Sequence, residues 1–137
     1  MEEVKVPSNM GYMEALLKCC PEAIIMVNGD GNITIANEEA CRLLQRDMKD
    51  IVGKSINIAY PSPEDARETN RQLYKNGGLI KDYLMRIKTK SGKEIPVRVS
   101  ACHRLDDKGK YVGAVGVFER YRPWLGMETR KRWWFFR

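Results

Sequence analysis

The sequence predicts an α+β domain, a five-stranded antiparallel sheet with short helices packed on one face. Three observations predict it. Two β-rich runs, Ile24 to Asn28 and Asn32 to Ala36, flank Gly29-Asp30-Gly31, whose residue types tolerate the positive φ of a tight hairpin. A second block, Leu79 to Arg120, reads as three strands separated by turns; between them lie helix-start signals at Asn37 and Ser62. The intervening helices offer the first strand pair no other partner, so it must join the later three in one sheet.

Met1 to Pro7 is polar and reads as frayed, and Ser8 or Asn9 caps a short helix through Lys18, stopped by Pro21. On that helix Tyr12, Leu16 and Cys19 share one face, with Met13 and Leu17 beside it. After the hairpin Asn37 serves as N-cap, Glu38 and Glu39 complement the helix dipole, and Ala40, Leu43 and Leu44 form an apolar face. Asp47 to Asp50 reads as one helical turn closed by Ile51-Val52-Gly53, and Ser55 to Tyr60 as a connector. Ser62 at N-cap with Pro63 at N1 starts a helix that runs to about Lys75 and ends at Asn76-Gly77-Gly78. Its face of Ala66, Thr69, Asn70 and Leu73 is weakly apolar, which makes it a loosely held lid.

The strands Leu79 to Lys88 and Glu94 to Leu105 meet at Lys90-Ser91-Gly92-Lys93. In the second, Ile95, Val97, Val99 and Ala101 alternate with Pro96, Arg98, Ser100 and Cys102, the period of a sheet with one buried face. Asp106-Asp107-Lys108-Gly109 turns the chain into the final strand, Lys110 to Arg120.

Composition narrows the class. A chain of 137 residues, 43% hydrophobic and 31% charged, can bury a core as a single globular domain. No apolar run approaches the roughly eighteen residues of a membrane helix, and Met1-Glu2-Glu3 has the wrong charge for a signal peptide, so a cytoplasmic location is expected. The net charge is +6, of which the stretch from Arg120 onward carries +5, six basic residues against Glu128. A polyanion partner is therefore an argument for the tail alone.

Chemistry is sparse. Cys19, Cys20, Cys41 and Cys102 lack the two-residue spacing of metal or redox pairs and read as reduced core residues. The single histidine, His103, lies on the parity of Val99 and Ala101 and reads as an ordinary strand side chain. No nucleophile sits in an elbow or triad setting, and Gly29-Asp30-Gly31 lacks the strand-then-helix order of a phosphate loop, so no enzyme is expected.

The runs Pro21-Glu22-Ala23-Ile24, Asn28 to Ile33, Ala36-Asn37 and Ile51-Val52-Gly53-Lys54-Ser55 resemble the first half of a PAS domain. Thr89 to Val97 resembles that family's central hairpin, and Gly113-Ala114-Val115-Gly116-Val117 its last strand. The resemblance covers roughly Tyr12 to Tyr121 and divides the chain into a flanking helix at 1–20, a sensor domain at 21–121 and a basic-aromatic tail at 122–137.

It implies a sensory and dimerisation module of a signal-transduction protein, of the two-component or transcription-regulating kind. The module would bind a small ligand or partner, dimerise through the N-terminal helix and sheet, and act on an output domain or partner protein. The pocket between sheet and helices would be faced by Val27, Ile33, Ile35, Leu44, Ile56, Leu73, Leu84, Val97, Val99 and Val115, with Asn37, Tyr60 and Arg86 as polar contacts.

The resemblance names no cofactor; none is the first expectation, with haem or flavin as alternatives. Cys41-Arg42-Leu43-Leu44-Gln45 is similar to the cysteine motif of the flavin photoreceptor branch, but it precedes the Ile51-Val52-Gly53-Lys54 segment that this motif should follow. At the matching place Ser55-Ile56-Asn57 holds no thiol. The helix that carries the haem-binding histidine in the oxygen-sensing branch has none here, leaving iron only His103 or a cysteine. Phe118 to Pro123 replaces the family's usual Asp-Ile-Thr-Glu-Arg-like exit. Arg130 to Arg137 interleaves charge with aromatics, a pattern open to membrane-interface, nucleic-acid or dimer contact, to packing on its own domain, or to disorder.

Overall fold

The computed structural model describes residues 9–122. The tail pattern at Arg130 to Arg137 and the candidate cap Ser8 lie outside them.

The first helix, α1 (Asn9–Cys19), leads into β1 (Ala23–Asn28) and β2 (Ile33–Ala36). Asn28 organises the turn between the strands, its Oδ1 accepting from the backbone N–H groups of Asp30 and Asn32, both at 3.0 Å. Of the turn residues only Gly31, at φ +80°, takes the left-handed conformation. Asn37 caps α2 (Glu38–Leu44) as the sequence predicts, accepting from Ala40 N–H. Single 3-10 turns follow at Met48–Asp50 and Ile56–Ala59. The second replaces the expected connector because the Ser55 hydroxyl accepts from Asn57 N–H and starts a turn there.

Helix α3 (Pro63–Lys75) has Ser62 at its N-cap and Pro63 in its first turn. It buries Ala66, Thr69 and Leu73, while Asn70 is exposed. The strands β3 (Leu79–Lys88), β4 (Glu94–Leu105) and β5 (Tyr111–Arg120) form the meander. The five strands make one antiparallel sheet of order β2-β1-β5-β4-β3, so the N-terminal ribbon does join the C-terminal three.

One face of the sheet packs Ile25, Ile33, Ile87, Ile95, Val97, Val99 and Phe118 against Ala40, Leu44, Ile51 and Ala59. The outer edge of β2 is covered as well: Gly53 donates to the Ile33 carbonyl at 2.7 Å, and Lys54 accepts from Ile33 at 2.8 Å.

Two bulges set which residues face the helices. In β2 the register slips by one residue, so that Ile33 opposes Val27 while Ile35 opposes Met26. In β3 it slips between Ile80 and Tyr83, where Asp82 adopts φ +54° and its N–H donates to the Ser100 hydroxyl. Beyond that point Tyr83, Met85 and Ile87 pair with the buried Val99, Val97 and Ile95. Simple alternation from Ile80 would have turned Leu84 and Arg86 inward; the bulge turns them out.

The cysteines depart from expectation too. All four are free, Cys19 and Cys102 exposed and Cys20 and Cys41 half-buried, and of them only Cys41 packs against the core.

Candidate functional site

Beneath α3 the sheet and helix do not close completely. They leave a cavity of about 320 Å³ bordered by β1, β4, β5, α3, the second 3-10 turn and the hairpin turn. Its apolar wall is built from Ile25, Val27, Ile56, Leu73, Val99, Ala101, Ala114 and Phe118. Gly116 keeps it open on the sheet side, since a Cβ there would stand 2.9 Å from the Phe118 ring.

The polar groups come mainly from three elements. Thr69, on the buried stripe of α3, donates its hydroxyl to the Asp65 carbonyl at 2.9 Å and lies 3.9 Å from the Met85 sulfur. Tyr60 borders the cavity beside it. Burial pushes the Tyr60 phenol above its ordinary range, offset only in part by a hydrogen bond with Thr69.

His103 packs edge-on between Tyr74 of α3 and Tyr111 of β5, with ring centroids at 4.8 and 4.9 Å. Burial pushes its imidazole below the ordinary range, favouring the neutral ring. The same residue fastens the lid: its backbone N–H donates to the Gly78 carbonyl at 2.7 Å, just past the end of α3. Gly78 itself has φ +88° and would place a Cβ 3.1 Å from the His103 ring nitrogen.

Among the residues the sequence nominated, Val27, Ile56, Tyr60, Leu73, Val99 and Val115 border this cavity. Val115 opposes Met26 and Cys102 rather than the inward Ala114 and Gly116 positions, so what it offers the cavity is backbone. Ile33, Leu44 and Val97 lie deeper, in the closed core. Ile35, Leu84 and Arg86 are on the opposite face of the sheet for the reason the bulges give; Leu84 is 55% exposed. Asn37 is buried beneath the end of α1, away from the cavity.

Sequence reading missed Tyr74, Tyr111 and Phe118 and set His103 aside. Its alternation with Val99 and Ala101 was the signal that could have found it.

A second hollow of about 580 Å³ separates α1 from α2 and β2. Charged Glu14, Lys18, Glu38, Glu39 and Arg42 border it together with Leu17, Ala36 and Met48, and the nominated Asn37 lies here and not at the cavity under α3.

Five antiparallel strands in this order, with helices on one face, define the α+β class to which the chain belongs. The chain belongs to the PAS family: the family model for the PAS fold matches residues 11–120. Over 119 residues the chain is 24% identical to the C4-dicarboxylate transport sensor protein DctS of Rhodobacter capsulatus, a match that takes 85% of this chain and spans 18% of that protein's length. Among solved structures it is similar to the PAS domain of a Colwellia psychrerythraea protein, with a TM-score of 0.72 at 16% identity over 82% of this chain and 96% of that one. It is also similar to the PAS domain, in complex with ethanol, of a LuxR-family transcriptional regulator from Burkholderia thailandensis. There the TM-score is 0.67 at 19% identity, over 78% of this chain and 95% of the other.

Proposed function

We propose that this PAS domain senses a small molecule held between the sheet and α3 and passes the event to the chain's ends. The cavity carries the reading: its size is at the lower end of small-molecule pockets, and its apolar walls with a few polar groups have the composition of such sites. An occupant that favours one placement of α3 by about 1.4 kcal/mol shifts a two-state equilibrium tenfold. The shift has two physical routes outward. One is the Gly78–His103 bond at the end of the lid, and the other is Asn37, which ties α1 to β1 and α2. An output domain or partner protein would read it, in a reducing cytoplasm that suits four free cysteines.

Haem fits this wall poorly, since the volume is small for a tetrapyrrole. A flavin held here would have no thiol beside it for a covalent adduct, because no cysteine is among the described residues that border the cavity. His103 has its ring engaged by two tyrosines where a haem plane would need room. The purified protein is expected to lack a visible absorption band.

A thermal-shift screen of small metabolites tests the proposal. A saturable hit that disappears in Ala101→Leu, which fills the cavity, supports it. Hits unaffected by that substitution, or none across a broad neutral and charged set, contradict it.

A further inference from the structure

The wall chemistry narrows what the cavity can hold. Among the described residues that border it, Asp30 alone carries a formal charge, and it sits exposed in the hairpin turn at the rim. No described lysine or arginine borders the cavity. Arg86, the basic contact the sequence nominated, has a 69% exposed side chain on the other face of the sheet, 3.9 Å from Glu94. Burial disfavours the cationic form of His103, so it is a poor replacement for that cation.

A carboxylate entering this site would shed its hydration without meeting an opposite charge, and buried charges persist only when paired. What the wall does offer is aromatic surface. Tyr74 and Tyr111 each stand edge-on to His103, Tyr74 at the exposed rim, Phe118 adds a further ring, and the hydroxyls of Tyr60 and Thr69 provide hydrogen bonding.

We infer that the molecule sensed is a small uncharged aromatic compound of the phenol or indole kind, and not a dicarboxylate of the sort named for the Rhodobacter relative. This rests on the sensory reading above and specifies its ligand. The ring lies against Tyr111 and His103 on an otherwise aliphatic floor, and its polar atom is served by a hydroxyl of Tyr60 or Thr69.

Isothermal titration of the full chain with phenol, indole and succinate at neutral pH separates the classes. Phenol or indole is expected to bind saturably, and succinate to give no saturable heat. Tyr111→Leu is expected to weaken the aromatic probe about fivefold, the scale of one aromatic pair, and Ala101→Leu to abolish its binding, each variant keeping the parent's far-ultraviolet circular dichroism. Succinate binding that Ala101→Leu removes would overturn the inference and leave the sensory reading standing. Aromatic binding indifferent to both substitutions would place the probe elsewhere and overturn it. Silence from all three probes overturns it too, and the metabolite screen then decides the sensory reading separately.

Discussion

Asn37 uses every hydrogen-bonding position its side chain has. Oδ1 accepts from Ile24 N–H at 2.9 Å and Ala40 N–H at 3.0 Å, while Nδ2 donates to the carbonyls of Leu17 at 3.2 Å and Glu22 at 2.9 Å. Among the described residues, and apart from the Cys20 N–H that closes the helix's own last turn on Leu16, the Leu17 bond is the only hydrogen bond joining α1 to the rest of the domain. Asn37→Ala strips a helix cap and strands buried backbone groups, so urea denaturation should show a loss of about 3 kcal/mol. Asn37→Asp keeps the cap but cannot donate to Leu17, and hydrogen exchange in α1 should accelerate. His103 acts through pH. Its folded pKa lies below the unfolded value of about 6.5, so the unfolded chain takes up the proton first. Stability is then full above that value and is lost as pH falls from it toward the folded pKa. Melting temperature should fall on acidification more in the parent than in His103→Gln. Glu22, raised by burial, has the opposite sign, its effect being a loss as pH rises through the window above its unfolded value, so the parent-minus-variant difference isolates the histidine.

Helix starts and strand periods were legible in the sequence because each is written in neighbouring residues. Ser62 accepts from Asp65 N–H and donates to the Asp65 carboxylate at 2.8 Å, and Ser62→Ala should cost about 1 kcal/mol in chemical denaturation. The bulges were not legible. An extra residue at Thr34 or Asp82 changes neither composition nor hydrophobicity, yet it turns Ile35, Leu84 and Arg86 to the other face. Asp82 has the local clue, a residue type that tolerates the left-handed region, but many aspartates do so in turns. Asp82→Val should lose about 1–2 kcal/mol, whereas Asp82→Gly should be tolerated; paired unfolding curves check both. The aromatic cluster was hidden for another reason. Tyr74, His103 and Tyr111 come from three elements, and only the tertiary fold brings them together.

At the scale of the molecule, the joining of the N-terminal ribbon to the later three strands was legible by elimination, since a two-stranded ribbon has little stability alone, whereas the strand order was not. Nor was the attachment of α1. Tyr12 and Leu16, one turn apart on that helix, are each 60% exposed, an unpaired apolar stripe that a second copy of the chain would cover. Sedimentation should reveal a dimer that Leu16→Glu dissociates without unfolding the sheet; a parent that is monomeric at every concentration would rule this out. Everything proposed for sensing depends on an accessible hollow under α3, whatever its ligand. Xenon, a neutral probe of apolar cavities, tests it directly in amide and methyl spectra of the full chain. Saturable shifts centred on Val27, Leu73, Val99 and Ala101, lost in Ala101→Leu, are the expected result; shifts confined to Met26, Ile35 and Leu84 on the opposite face, or none at all, would contradict it.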